Sequence, residues 1–96
     1  MPKAAANRLH QNYPNPFNPS TTISYTVGNG GHVTVEIYSV NGQRIRMLVD
    51  EIKEPGIYSV IWDGRNEKNT QVATGIYFCR LQIDSFSTVR KMLLIQ

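Results

Sequence analysis

Residues 32–49, HVTVEIYSVNGQRIRMLV, consist of two segments rich in apolar residues on either side of an Asn-Gly pair. Val33, Val35 and Ile37 occupy every second position of the first segment, which is the period of a strand with one buried face. The Asn-Gly pair at 41–42 is a typical hairpin turn. This stretch therefore predicts an antiparallel hairpin in an all-β fold.

The charges of the hairpin favour one register. A two-residue turn would pair Ile37 with Arg46 and place a charge on the apolar face. A three-residue loop, 40–42, with its glycine in the left-handed conformation, instead pairs Ile37 with Ile45 and sets Glu36 opposite Arg46. We therefore expect the three-residue loop and that register.

The same alternation recurs along the rest of the chain. In GIYSVIW, residues 56–62, Ile57 and Ile61 lie on the face opposite Tyr58 and Val60. Apolar residues on both faces predict a central strand. Further strands are predicted over 22–27, 76–83 and 87–96. In the last of these, the inward residues are either Val89, Leu93 and Ile95 or Met92 and Leu94.

About seven short strands without a helical segment fit an immunoglobulin-like antiparallel β-sandwich. The 96 residues suffice for one compact domain. We assign residues 13–96 to the sandwich and residues 1–12 to a linker or cloning remnant. Trp62 is the leading candidate for the centre of the core. The predicted core residues are Val35, Ile37, Tyr58, Val60, Trp62, Cys79 and Leu81.

The segment before the first predicted strand, YPNPFNPSTT at 13–22, contains three prolines. Proline fixes φ and donates no hydrogen bond to a ladder, so this segment is expected to be extended and unpaired up to Ser20. Tyr13 and Phe17 are expected to cover one end of the sandwich. Asn15 and Asn18, each before a proline, are expected to favour turn-like geometry. The segment is thus predicted to be a rigid lead-in.

Composition argues against several functional classes. The net charge is +3, but the basic residues are scattered, so no nucleic-acid surface is predicted. No apolar run approaches the ~20 residues of a membrane-spanning helix, so no membrane insertion is expected. Cys79 is the single cysteine and has no histidine motif beside it. Asp63-Gly64 reads as a turn rather than a calcium loop. We predict no catalysis, no metal and no cofactor.

Several motifs occur in a characteristic order: YPNPFNPSTTISYTV, VTVEIYSVNGQRIRMLV, GIYSVIWDGRN, ATGIYF and RKMLLIQ. Together they resemble the C-terminal sorting domain carried by cargo proteins of the type IX secretion system. The resemblance covers the chain from about Tyr13 to Gln96. It implies a non-catalytic address attached to an N-terminal cargo, which travels through the periplasm of a Gram-negative bacterium and is secreted or displayed at the cell surface.

The resemblance also implies partners and recognition residues. The partners are the type IX translocon and a sortase-like peptidase that removes the domain from many cargoes. The terminal strand would offer unpaired backbone groups at a sheet edge to a receptor. The recognition candidates are Gly75, Tyr77, Lys91, Met92, Leu93, Leu94, Ile95 and Gln96.

Two alternative functions and one question of assembly stay open. The first is an immunoglobulin-like structural spacer, related to the sandwich domain of flagellar hook-capping proteins. The second is a carbohydrate-binding module of a secreted multidomain enzyme, which would need a row of exposed aromatic residues. The candidates are Tyr13, Phe17, Tyr38 and Phe86, but their spacing shows no platform. The third concerns assembly rather than function, because edge strands also allow a weak dimer of the domain.

Overall fold

The computed structural model describes residues 6–96, which form seven strands in two antiparallel sheets. The first sheet has the order β1-β2-β5 and the second the order β4-β3-β6-β7. The predicted all-β sandwich is confirmed. Within residues 6–96, no helix has the length and apolar character needed to cross a membrane. The strands are β1 (Arg8–Leu9), β2 (Thr21–Val27), β3 (Gly31–Ser39), β4 (Arg44–Lys53), β5 (Gly56–Trp62), β6 (Gly75–Ile83) and β7 (Phe86–Leu94).

The core lies between the two sheets and is formed by the alternating residues of β2, β3 and β6. Trp62 is fully buried at its centre, and its indole nitrogen donates to the Arg65 carbonyl at 2.9 Å. Its ring lies 5.6 Å from that of Phe17 and 5.3 Å from that of Tyr77. Of the predicted core residues, Tyr58 and Val60 are half-buried against the core. The others are buried: Val35, Ile37, Trp62, Cys79 and Leu81.

The prediction that residues 56–62 form a central strand is wrong. β5 lies at the edge of the three-stranded sheet, with β2 as its only strand neighbour in residues 6–96. Ile57 and Ile61 face solvent and are 79% and 65% exposed. A two-layer sandwich has no third layer above this sheet, so the second apolar face of β5 has nothing to pack against.

The hairpin has the predicted three-residue loop. The Ser39 amide donates to the Gln43 carbonyl at 2.9 Å, and Gly42 adopts φ +80°. The register beyond the loop is wrong, because β4 contains two bulges, at Ile45 and at Leu48. The strand consequently pairs Ile37 with Arg46.

The bulges have a packing consequence. With strict alternation, Leu48 would face away from Ile45 and Val49, whereas all three side chains pack against the core in the structure. The bulges also change the charged partner of Glu36, which is Arg44 and not the expected Arg46. Its carboxylate lies 3.6 Å from Arg44 and accepts a hydrogen bond from the Tyr38 hydroxyl at 2.9 Å.

The terminal strand β7 is at the edge of the four-stranded sheet and pairs with β6. Met92 and Leu94 are buried, whereas Val89, Leu93 and Ile95 are 52%, 37% and 45% exposed. Of the two inward sets that the sequence allowed, the structure has Met92 and Leu94.

The fold also includes residues upstream of Tyr13, the predicted first residue of the domain. β1 pairs with β2, and both Leu9 and Asn12 are buried. The Asn12 amide donates to the Thr21 hydroxyl at 2.9 Å. Part of the predicted linker is therefore integral to the sandwich, and residues 1–5 of it lie outside the described residues.

Replacing Trp62 with alanine removes the largest buried side chain and leaves a cavity between the sheets. We expect a loss of about 3–5 kcal/mol in the free energy of unfolding, measured by denaturant titration. Ile52→Ser is the control, because Ile52 is 82% exposed; its effect should stay within about 0.5 kcal/mol. Equal losses for the two variants would contradict this assignment of the core.

Candidate recognition surface

The lead-in segment, residues 10–20, connects β1 to β2 and contains the three prolines. It bends at 14–16 and again at 18–19, which confirms the predicted turn-like geometry at Asn15 and Asn18, but the segment as a whole is not extended. Phe17 is 2% exposed and covers one end of the core, as expected, whereas Tyr13 is 81% exposed and covers nothing. The segment is also paired, because Tyr13 forms an antiparallel bridge with Thr22. The expectation of an extended, unpaired lead-in is therefore wrong.

Phe17 also binds the terminal strand through its backbone. Its amide donates to the Leu93 carbonyl at 3.0 Å, and its carbonyl accepts from the Ile95 amide at 2.9 Å. The Asn15 carboxamide oxygen accepts from the Leu93 amide at 3.0 Å. The lead-in segment thus occupies the outer edge of β7 and of the residue that follows it.

Two further contacts extend this cover along β7. The Gln11 side chain donates to the Lys91 carbonyl at 3.0 Å, and the Arg90 guanidinium donates to the Leu9 carbonyl at 3.2 Å. The expectation that the terminal strand offers unpaired backbone groups is consequently wrong between the Lys91 carbonyl and the Ile95 amide. A receptor that reads this part of β7 must contact side chains, or displace the lead-in segment.

Gln96 is attached to the connection between β5 and β6. Its amide donates to the Thr74 hydroxyl at 3.0 Å, and its side chain donates to the Val72 carbonyl. The last residue is therefore held against the body of the domain.

The recognition candidates on β7 divide between the two faces of the sheet. Met92 and Leu94 belong to the core, whereas Lys91, Leu93 and Ile95 point outward. Lys91 and Leu93 border a shallow hollow of about 180 Å³ that is also lined by Asn15, Ile76 and Met92, and Ile95 lies outside it. This surface combines exposed aliphatic groups with one positive charge.

The other two candidates, Gly75 and Tyr77, start strand β6. Gly75 pairs with Leu94, and Tyr77 is 7% exposed. The Tyr77 hydroxyl donates to the Ala73 carbonyl at 2.6 Å, and burial raises the pKa of this hydroxyl. These are the contacts of a corner tyrosine. The Tyr77 side chain therefore packs inside the domain and does not form part of its outer surface.

The side chains that could react or bind a metal are buried or engaged in structural hydrogen bonds. Cys79 is buried, and burial raises the pKa of its thiol to about 12. In the turn after β5, the Asp63 carboxylate accepts from the Arg65 amide at 3.1 Å, and the Asn66 carboxamide accepts from the Lys68 amide at 3.0 Å. Residues 6–96 contain no cluster of three or more side chains suited to a metal ion.

Sequence reasoning missed the residues that cover β7. Gln11 and Asn15 are separated from their partners by 80 and 78 residues. No local pattern encodes such a contact. The available signal was the pair of asparagines before prolines, which indicates side chains that bind backbone groups at bends.

Comparison with known proteins gives one family. The model of the secretion system C-terminal sorting domain matches residues 11–96. No curated protein matches the sequence.

Several solved structures share the fold. The chain is similar to PorZ, an essential surface component of the type IX secretion system of Porphyromonas gingivalis, at 21% identity and a TM-score of 0.64, over 94% of this chain and 11% of that one. It is similar to dimeric latent PorU of the same organism, at 19% identity and a TM-score of 0.69, over 95% and 10%. It is also similar to FlgD of Xanthomonas campestris, at 22% identity and a TM-score of 0.63, over 91% and 65%. The chain thus spans about a tenth of PorZ and of PorU.

Asn15→Ala should weaken the cover of β7 because the Leu93 amide loses its acceptor. We expect a loss of about 0.5–1.5 kcal/mol in stability and several-fold faster hydrogen exchange at the Leu93 amide. The Ile95 amide, bonded to the Phe17 backbone, should remain protected. Asn18→Ala is the matched control, since Asn18 also precedes a proline and makes no side-chain hydrogen bond within residues 6–96. Unchanged exchange at Leu93 in the Asn15 variant would contradict the contact.

Cys79 should not react with a thiol reagent at pH 8 in the folded protein and should react fully after unfolding in guanidinium. The pKa of the Cys79 thiol is about 12 in the folded state, above its ordinary value of 9.0. Between these two pH values the unfolded state loses the thiol proton and the folded state keeps it, so the free energy of unfolding should fall as pH rises from 9.0 to about 12. Rapid labelling of the folded chain at pH 8 would contradict the burial of this thiol.

Proposed function

The chain belongs to the secretion system C-terminal sorting domain family, and we propose that the translocon recognises it through the outward side chains of its terminal strand. A domain of this family directs the secretion of its cargo through the type IX system. The domain itself is non-catalytic.

The observation that carries this assignment is the division of β7 into two faces. Met92 and Leu94 account for the core, so the exposed aliphatic Leu93 and Ile95 are not needed to fill it. Ile76, on the neighbouring strand, pairs with Leu93 and is also 42% exposed. Together with Lys91 they form an apolar surface with a positive rim, which is a typical composition for a recognition site.

The cover of β7 by the lead-in segment determines how the surface is read. The outer backbone groups from Lys91 to Ile95 are already bonded to the lead-in segment, so they are not free to pair with an added strand. Recognition is therefore proposed to use side chains. A rigid side-chain surface keeps its shape whether cargo is attached or not. This agrees with an address that must work on many different N-terminal partners.

Cargo of this system is secreted or attached to the surface of Gram-negative bacteria. We place the attached cargo upstream of this chain, and any activity of the whole protein in that cargo. A sortase-like peptidase needs an extended and accessible segment. Since Arg8–Leu9 is paired with β2, a processing site would fall upstream of residue 8.

The second candidate function is a structural spacer, and it is favoured by the similarity to FlgD over 91% of the chain. A spacer would give no export. The carbohydrate-binding alternative loses support, because Phe17 is buried and Tyr38 and Phe86 are only partly exposed. Tyr13 alone does not make a platform for a sugar chain.

The experiment fuses the chain behind a reporter that bears a signal peptide, in a host with the type IX translocon. The wild-type fusion should reach the cell surface or medium, and deletion of residues 91–96 should retain it in the periplasm. Leu93→Ser with Ile95→Ser should lower export by at least about tenfold, because recognition energy concentrates in a few apolar contacts.

The matched control is Val89→Ser, an exposed aliphatic position of the same strand outside the hollow, which should export normally. Circular dichroism establishes that each point variant is folded, whereas the deletion also removes the buried Met92 and Leu94 and so tests only whether the terminal strand is required. Normal export of the double variant would contradict the recognition surface while leaving the sorting function intact. No export of the wild-type fusion would favour the spacer.

A further inference from the structure

Strand β5 is an unprotected edge. Its sequence, GIYSVIW, contains no charged residue and no proline, and its register with β2 has no bulge. No backbone hydrogen bond from a loop or turn reaches residues 57–61 in the described part of the chain. Natural sheets normally avoid such an edge with charges, proline, bulges or a covering segment.

The other three sheet edges have these protections. The outer edge of β7 is covered by the lead-in segment, and β1 is only two residues long. The edge of β4 carries two bulges and is covered by the loop at Glu67, whose amide donates to the Ile45 carbonyl at 3.2 Å and whose carboxylate accepts from the Met47 amide at 3.3 Å. The exception at β5 therefore indicates an interaction surface.

The sequence of β5 identifies the occupant. The strand has the same pattern of residue types on both sides of Ser59: a large apolar or aromatic residue and then an isoleucine. In chain order the residues are Ile57, Tyr58, Ser59, Val60 and Ile61. In an antiparallel pair of two such strands with serine opposite serine, each isoleucine faces an isoleucine of the other strand. Apolar pairs in this position stabilise a sheet, and a two-fold axis repeats every contact.

The ends of the strand agree with this register. Gly56 and Trp62 are equally far from Ser59, so the two ladders would end together. Pro55 lies directly before Gly56 and cannot donate a further hydrogen bond at that end. Ile57 and Ile61 are 79% and 65% exposed in the single chain. In the paired strands each of them would be partly covered by an isoleucine of the other copy.

We propose that two copies of this domain associate through β5, antiparallel about Ser59, and form one continuous six-stranded sheet. The paired isoleucines lie on the outer face of that sheet. On the inner face, Tyr58 of one copy lies opposite Val60 of the other. The partner is a second copy of this chain.

The dimer and the sorting surface use opposite sides of the sandwich. β5 follows β4 and contacts it, whereas β1 packs beside β7. Association through β5 therefore leaves the outward residues of β7 accessible. It also leaves β1, and with it the upstream chain, at the far side of each copy.

The test is sedimentation velocity of the 96-residue chain over a range of concentrations, with variants that probe the register. The wild type should show a concentration-dependent monomer–dimer equilibrium. Ile57→Lys with Ile61→Lys, and Ile57→Glu with Ile61→Glu, place like charges opposite each other and should each weaken association by at least about tenfold. Mixing the two variants should restore the dimer.

A third variant tests the crossing directly. Ile57→Lys combined with Ile61→Glu sets lysine opposite glutamate twice, so it should dimerise alone. Ile52→Lys is the matched control, because Ile52 is 82% exposed but belongs to the other sheet, and it should leave the equilibrium unchanged. At a concentration where the wild type is monomeric, all variants should keep its unfolding midpoint, since the replaced side chains face solvent in the single chain.

A wild type that stays monomeric at every concentration overturns the proposal and leaves a strand of another protein as the occupant of this edge. A dimer that survives the lysine pair, or the failure of the lysine–glutamate variant to associate, overturns the register. Export of the reporter fusion is measured separately, so the sorting function and the dimer stand or fall independently.

Discussion

The contact between Phe17 and the terminal strand is the constraint on which the rest of the structure depends. The backbone of Phe17 bonds on both sides to the segment from Leu93 to Ile95, while its ring packs on Trp62 in the core. One residue thus fixes the path of the lead-in segment, closes one end of the sandwich and covers the edge of β7. Without Phe17, the lead-in segment would lose its anchor in the core, and the Leu93 carbonyl and the Ile95 amide would be left unpaired.

Alternation predicted the strands whose one face is buried. In β2, β3 and β6 the apolar period of two coincides with burial, so Val35, Cys79 and Leu81 lie where the sequence placed them. The three-residue loop at Gly42 was also predictable, because a positive φ in a hairpin favours glycine. These features depend on local chemistry and so are visible in a local pattern.

The wrong predictions share a physical cause, since each depended on what lies opposite in space. The sequence of β5 gives it two apolar faces but does not say that no layer covers one of them. The bulges of β4 arise from fitting Ile45, Leu48 and Val49 to the core, which the pattern of charges could not reveal. On the candidate surface, the family resemblance selected the terminal strand, but the choice between its two inward sets required the opposite sheet. The bonds of Gln11 and Asn15 to β7 cross nearly the whole chain.

The position of the lead-in segment has a mechanical consequence. A pull from the upstream chain first meets the two-residue strand β1 and then the hydrogen bonds of the lead-in segment, all at the rim of the molecule. These bonds can open one after another, as in unzipping, before the sheets separate. Tension on this domain would therefore release β1 and the side-chain bonds of Gln11 and Asn15 first, and it would free the edge of β7 at Leu93 and Ile95 only when the Phe17 ring also leaves Trp62.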